Sequence, residues 1–113
     1  MSASVHPRCF RDITPVELAQ GPRGRLIDVR EPHELAGELG HLAGAELVPL
    51  GTLATVARGW SRDEELTLVC RSGNRSAQAA ALLCQLGFRR LWNLAGGMLA
   101  VRAGGPSARG AQP

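Results

Sequence analysis

Short apolar runs alternate along the chain with segments whose apolar residues recur at helical spacing. The apolar runs predict strands at residues 26–29, 46–50, 66–69 and 91–94. The helical spacing predicts helices at residues 15–20, 32–35, 53–58 and 76–86, and a closing turn or helix begins at residues 96–98. Residues 1–10 show no regular pattern, and they are expected to form a loose start to the chain.

The helix boundaries carry recognisable signals. Thr14 is placed to cap the first helix, with Pro15 at its first position and Glu17 three residues after the cap, as in a capping box. Gly21 and Gly87 stand where the first helix and the helix at 76–86 are expected to stop. These signals support the element boundaries that the apolar pattern suggests.

Strands that alternate with helices predict an α/β fold with a mainly parallel central sheet and helices on both faces. A chain of 113 residues has room for one ordinary core, so we expect a single domain over residues 10–103. The segments 1–9 and 104–113 are expected to be flexible termini, and the second of them is rich in Gly, Pro and Ser.

Two polar loops follow predicted strands, one from Asp28 to Glu31 and one from Cys70 to Arg75. In parallel sheets, ligands bind beyond the carboxyl ends of the strands. The two loops are therefore expected to share one edge of the sheet and to form the functional site.

The loop after the third predicted strand places Cys70 before a helix N-terminus, where unpaired amides and the helix dipole favour a negative charge. Arg71 and Arg75 add positive charge nearby, so the pattern favours a thiolate nucleophile. Gly73 and Asn74 accept left-handed backbone angles, which would turn successive amides inward into an anion-binding nest. Arg75 is expected to hold the loop carbonyls or to reach the substrate. The alternative interpretation is an ordinary buried cysteine at the end of a strand.

The spacing within this loop separates two kinds of cysteine chemistry. Enzymes that handle phosphate with a cysteine place five residues between Cys and Arg, whereas four residues separate Cys70 from Arg75. A shorter loop forms a tighter cradle, which suits one additional sulfur atom better than a phosphoryl group. A phosphatase or an arsenate reductase remains the weaker alternative.

Charge is unevenly distributed along the sequence. The 13 basic residues are all arginines, and all ten acidic residues precede position 66, so the second part carries six arginines and no acid. This asymmetry is consistent with a site that handles an anion in the second part, or with ordinary surface composition. No arginine run is interleaved with aromatic residues, so no nucleic-acid partner is expected.

Composition also narrows the expected location. The longest apolar run is far shorter than the roughly 18 residues of a membrane helix, and the N-terminus shows no signal-peptide pattern, so we expect a cytoplasmic protein without membrane contact. Cys9, Cys70 and Cys84 form no C-x-x-C pair, so free thiols are expected rather than disulfides or a zinc site. Cys84 is expected in the core, and Cys9 is expected to be exposed.

Several segments resemble single-domain rhodaneses in family order. The matching pieces are LIDVREPHEL from Leu26, GHLAGAELVPL from Gly40, LVCRSGNRSAQAAALL from Leu68 and LGFRRLWNLAGGM from Leu86. The resemblance implies sulfur transfer: the Cys70 thiolate takes a sulfane sulfur from a small anionic donor such as thiosulfate, becomes a persulfide, and passes the sulfur to cyanide, a thiol or a protein. It implies no metal or organic cofactor. A non-catalytic or sulfur-carrier module of the same family is the alternative.

The resemblance also suggests roles for individual residues. Substrate-binding amides would come from the six residues after the cysteine, which are Arg71, Ser72, Gly73, Asn74, Arg75 and Ser76. Asp28 could hold the Cys70 loop or bond to Arg30 within its own turn, and both interpretations stay open. Glu31 is expected to pair with an arginine in a structural role. His41 is expected to be structural, beside the turn at Gly40, rather than a general base.

Overall fold

The computed structural model of the chain describes residues 9–104, and most of the two terminal segments that were expected to be flexible lie outside them. The described part contains five strands: β1 (Phe10–Ile13), β2 (Arg25–Asp28), β3 (Glu46–Leu47), β4 (Glu65–Val69) and β5 (Arg90–Leu94). It contains five α-helices: α1 (Pro15–Gln20), α2 (Pro32–Leu35), α3 (Leu50–Val56), α4 (Asn74–Gln85) and α5 (Gly97–Ala103). A 3₁₀ turn at Ala57–Gly59 continues α3. None of the helices in this part has the length and apolar character needed to cross a membrane.

The five strands form one sheet in the order β1-β5-β4-β2-β3, and every neighbouring pair is parallel. This architecture confirms the predicted α/β class. β1 was not predicted, since this edge strand has the sequence FRDI and buries only Ile13 fully. β3 is shorter than predicted and has two residues, because Pro49 limits pairing beyond it and α3 begins at the next residue.

Helices cover both faces of the sheet, as predicted. On one face, α3 and α4 contribute Leu53 and Leu83 to a core with β4 side chains such as Leu68. On the opposite face, α1 and α5 contribute Leu18 and Met98 to a second core. The sheet is therefore buried on both sides, and its strand ends are the places left for a site.

The start of α1 has the predicted capping box. The amide of Glu17 donates to Thr14 Oγ1 at 3.1 Å, and the amide of Thr14 donates to Glu17 Oε1 at 2.9 Å. Two of the backbone donors at this helix end are thereby satisfied by side chains.

The expectation of three free thiols is wrong for two of the cysteines. Cys9 and Cys84 form a disulfide that joins the residue before β1 to α4, with their Cα atoms 6.1 Å apart. Cys9 is exposed and Cys84 is half-buried against the core. The sequence pattern did not reveal β1, so it gave no reason to place residue 9 beside α4. Among the described residues, Cys70 is the free cysteine.

Candidate active site

Cys70 lies immediately after β4, and its side chain is buried, with 1% of the residue exposed. Three residues lead from it to α4, which starts at Asn74, two positions earlier than predicted. The turn depends on Gly73, whose φ of +101° is costly for a residue with a side chain. This conformation brings the Gly73 amide to 3.0 Å from the Cys70 sulfur, to which it donates a hydrogen bond. Asn74 is helical, so the expected left-handed backbone is found at Gly73 alone of the pair.

The loop surrounds the Cys70 sulfur with hydrogen-bond donors. Burial acts to raise the pKa of the Cys70 thiol. Hydrogen bonds from the side chain and backbone of Ser76 act in the opposite direction, as do those from the amides of Gly73 and Ser72. Their combined effect outweighs burial, and the pKa of Cys70 lies below its usual value. The site thus favours the nucleophilic form of the sulfur.

The first turn of α5 supports the loop from behind. The amide of Met98 donates to the Cys70 carbonyl at 2.8 Å, and the amide of Leu99 donates to the Arg71 carbonyl at 2.9 Å. Gly97 allows this close approach, since a Cβ atom there would lie 2.5 Å from the Cys70 carbonyl oxygen. The carbonyls of Cys70 and Arg71 are thereby satisfied by α5.

The two loop arginines have different surroundings. Arg75 makes a two-pronged ion pair with Glu34 of α2, with N–O distances of 2.7 Å and 2.8 Å. Its guanidinium therefore binds a carboxylate instead of the loop carbonyls, contrary to one of the two roles expected for it. Arg71 is exposed at the outer side of the loop and lines a small cleft of about 170 Å³ together with Glu34. Of the two loop arginines, Arg71 is therefore the more exposed.

The loop after β2 lies at the same edge of the sheet, as predicted, and it contains a buried ion pair. Asp28 accepts hydrogen bonds from the Arg30 side chain at 2.8 Å to 3.1 Å, and both residues are 1% exposed. Arg30 also donates to the Gly40 carbonyl at 2.8 Å. Of the two interpretations of Asp28, these contacts show the bond to Arg30 within its own turn. Through Gly40, the pair also anchors the connection that carries His41.

Glu31 and His41 are both exposed. The amide of Glu31 donates to Glu34 Oε1 at 2.9 Å, and Glu34, not Glu31, makes the ion pair with Arg75. The carboxylate of Glu31 contributes a longer-range attraction to Arg75. These positions are consistent with structural roles for both residues.

Sequence reasoning missed three polar residues that connect to the loop. Glu34 holds Arg75, as described. Asn93 of β5 accepts a hydrogen bond from Ser76 Oγ at 2.5 Å and donates one to Asp12 of β1 at 3.2 Å. A buried asparagine inside the apolar strand LWNL was an available signal for Asn93. Nothing comparable marked Glu34 or Asp12, because their partners are distant in sequence.

No three His, Cys, Asp or Glu side chains within residues 9–104 are grouped closely enough to hold a metal ion. A larger cavity of about 420 Å³ lies at the opposite edge of the sheet, where β4 and β5 begin. Its lining includes Arg11, Arg90 and Trp92 but none of the candidate site residues.

Comparisons with known proteins agree with this architecture. Residues 14–103 match the family described as the rhodanese-like domain. A sulfurtransferase from Allochromatium vinosum is 37% identical over 75 residues, covering 66% of this chain and 68% of the relative. The thiosulfate sulfurtransferase GlpE from Pseudomonas aeruginosa is 31% identical over 90 residues, covering 78% of this chain and 80% of the relative. The crystal structure of a rhodanese-related protein from Thermoplasma volcanium superposes with a TM-score of 0.75 at 31% identity, covering 85% of this chain and 94% of that one. With a family match over most of its length, a parallel sheet of the same architecture and relatives named as sulfurtransferases, the chain belongs to the rhodanese-like sulfurtransferase family.

Proposed function

We propose that the protein transfers a sulfane sulfur from a small anionic donor such as thiosulfate to a thiophilic acceptor through a persulfide on Cys70. The observation that carries this proposal is the buried Cys70 sulfur, on which the amides of Ser72, Gly73 and Ser76 converge. A thiolate and a persulfide anion both require donors of this kind, in the manner of an oxyanion hole.

The first step forms a bond between the Cys70 thiolate and the outer sulfur of the donor. With thiosulfate, the sulfur–sulfur bond of the donor breaks, and sulfite leaves with the bonding electron pair. The product is a Cys70 persulfide whose negative charge is held by the loop amides. Because Glu34 already neutralises Arg75, the exposed charge of Arg71 is the one that attracts the anionic donor.

In the second step, an acceptor attacks the outer sulfur of the persulfide and restores the Cys70 thiolate. Cyanide serves as an acceptor in an assay, and a thiol or a protein thiol is the acceptor proposed in the cell. As written, the two steps use only the groups already named. A cytoplasmic location stays a prediction from the sequence.

The test is the formation of thiocyanate from thiosulfate and cyanide. Wild type is expected to turn over, and Cys70→Ser is expected to be inactive. The double variant Cys9→Ser/Cys84→Ser is the matched control, since it removes the two disulfide-bonded cysteines outside the loop without leaving a new free thiol, and it is expected to keep turnover. Arg71→Gln is expected to raise KM for thiosulfate by up to about fivefold, with kcat little changed. This factor corresponds to the binding free energy of one exposed ion pair. Equal activity in wild type and Cys70→Ser would overturn the proposal.

A sulfur-carrier role is the second candidate. It is suggested by a Bacillus subtilis relative named a putative sulfur carrier protein, 34% identical over 73 residues, which cover 65% of this chain and 38% of that relative. Such a role uses the same Cys70 persulfide, but only a specific partner protein accepts its outer sulfur. A protein that acquires the persulfide stoichiometrically, yet releases no sulfur to cyanide or small thiols, would support the carrier instead of the enzyme.

A further inference from the structure

A chain of polar side chains runs from Cys70 to the edge of the sheet. The Cys70 sulfur lies 3.3 Å from Ser76 Oγ, which lies 2.5 Å from Asn93 Oδ1, and Asn93 Nδ2 lies 3.2 Å from Asp12 Oδ1. Ser76 is 0% exposed and Asn93 is 7% exposed. Asp12 and Asn93 are register partners in β1 and β5, so their side chains lie on the same face, under α4. Ser76 and Asn93 are therefore shielded from solvent, whereas Asp12 lies at the exposed end of the series.

The hydrogens in this series of side chains can be assigned by starting at Asp12. An ionised carboxylate accepts hydrogen bonds and donates none, so Asp12 requires the NH₂ group of Asn93 to face it. The carbonyl oxygen of Asn93 must then face Ser76, and the single hydroxyl hydrogen of Ser76 points to Asn93. A lone pair of Ser76 is left facing Cys70, which suits a thiol that donates its own hydrogen.

When Cys70 loses its thiol proton, its sulfur changes from a hydrogen-bond donor to an acceptor at the contact with Ser76. A thiolate needs a donor from Ser76, but Ser76 has one hydrogen and Asn93 already holds it. The thiolate can take that hydrogen only if the short bond between Ser76 and Asn93 breaks. The Gly73 amide is unaffected, since it donates to the sulfur in either state.

We propose that Asn93 and Asp12 are positioning residues that set the reactivity of Cys70 by competing with its thiolate for the hydroxyl hydrogen of Ser76. The catalytic significance rests on the proposed function, in which Cys70 is the nucleophile. The competition itself is a property of the folded protein and needs no sulfur donor. Neither Asn93 nor Asp12 has to touch a substrate to act in this way.

The other charged groups near Cys70 are unchanged in variants of Asp12, Asn93 and Ser76. They are Arg71 of the loop, Arg75 of α4, Glu34 of α2, and the buried pair formed by Asp28 and Arg30 after β2. Because each is common to all variants below, its influence on the thiol cancels in the comparison. Asp12 is the one charge that belongs to the proposed chain of contacts.

The test measures the pH dependence of the rate at which iodoacetamide alkylates Cys70 in the folded protein. In Asn93→Leu, Ser76 can donate to the thiolate without losing a partner, so the pKa of Cys70 is expected to fall by about 0.5 to 1 unit, the worth of one hydrogen bond. Hydrocarbon next to a thiol acts by itself to raise the pKa, so a purely structural effect has the opposite sign. Asp12→Asn, at an exposed position, is expected to give a smaller fall because the amide orientation is no longer enforced.

The decisive comparison repeats both substitutions in a Ser76→Ala background. Ser76→Ala removes the hydroxyl hydrogen for which Cys70 and Asn93 compete, so Asn93→Leu or Asp12→Asn should then have no further effect on the pKa of Cys70. If either substitution shifts the pKa equally with and without Ser76, it acts through charge or solvation and the proposal is overturned. An unchanged or raised pKa in Asn93→Leu overturns it as well. Alkylation requires no sulfur transfer, so failure of the proposed function would appear separately, as missing thiocyanate in wild type.

Discussion

The ion pair between Glu34 and Arg75 connects the short helix α2 to the helix that carries the Cys70 loop, and Glu34→Gln tests its contribution. The substitution keeps the shape of the side chain and removes the charge that binds both guanidinium nitrogens. α2 has four residues, too few to be stable without tertiary contacts. We therefore expect loss of the pair to loosen this helix and to lower the free energy of unfolding.

The size of this loss in unfolding free energy depends on the burial of the two side chains. Glu34 is 19% exposed and Arg75 is 33% exposed. Exposed ion pairs contribute about 0.2 to 1 kcal/mol, whereas breaking a fully buried pair costs about 3 to 5 kcal/mol. A partly buried two-pronged pair falls between these limits, so the expected cost of Glu34→Gln at pH 7 is about 1 to 2 kcal/mol. A domain of this size would lose roughly 4 to 8 °C in Tm for each kcal/mol.

The pH dependence gives a second, independent signature. Hydrogen bonds from Arg75 lower the pKa of Glu34 from its usual value to about 2 in the folded protein. A carboxylate with a lowered folded-state pKa stabilises the protein above its unfolded-state pKa of about 4.3, and this contribution disappears as the pH falls toward 2. The difference in unfolding free energy between wild type and Glu34→Gln should therefore be largest at neutral pH and shrink between about pH 5 and pH 2.

Urea unfolding at pH 7 and at pH 3 measures both signatures. Glu46→Gln is the matched control, because Glu46 makes a similar two-pronged pair with Arg25 but is 46% exposed. That control should cost at most about 1 kcal/mol. Equal costs at the two positions, or a Glu34→Gln cost that does not change with pH, would show that the pair between Glu34 and Arg75 does not stabilise the fold as expected.

Three further predictions concern the framework of the site. Gly97→Ala should destabilise the protein by more than about 3 kcal/mol in urea unfolding, because its Cβ would lie 2.5 Å from a carbonyl oxygen, whereas Gly44→Ala, with open space around it, should cost about 1 to 2 kcal/mol. Arg30→Met leaves its carboxylate partner buried and uncompensated, so the same measurement should show a loss of about 3 to 5 kcal/mol, and a loss below 1 kcal/mol would contradict the buried pair. Thiol titration of denatured, unreduced protein should find one thiol, and reduction should release Cys9 and Cys84 to give three.

The sequence predicted those parts of the fold that depend on local pattern. The apolar runs gave three of the five strands to within about one residue at each end, and the Thr14 capping box was found as expected. The position of Cys70 between a buried strand and a helix also followed from the pattern, because strand, turn glycine and helix are contiguous in the chain. β1 was missed because one edge-strand residue alone is fully buried.

The contacts that complete the site could not be predicted, because they join residues far apart in sequence. Glu34 and Arg75 are 41 positions apart, and Asp12 and Asn93 are 81 positions apart. The uneven charge of the sequence has a related explanation. Arginines of the acid-free second part pair with acids of the first part, at Arg75, at Arg89 with Asp63, and at Arg90 with Glu65. Much of the apparent positive excess is therefore balanced in the folded protein, and Arg71 remains the exposed positive charge of the loop.

The most direct test of the central proposal is the mass of the Cys70 peptide after the protein is treated with thiosulfate under non-reducing conditions. We expect an increase of about 32 Da, one sulfur atom, on the peptide that contains Cys70, and the loss of this mass when cyanide is added. Cys70→Ser should gain no mass under the same conditions. If folded wild-type protein gains no sulfur on Cys70 from thiosulfate, or if Cys70→Ser gains the same mass, sulfur transfer through Cys70 is ruled out.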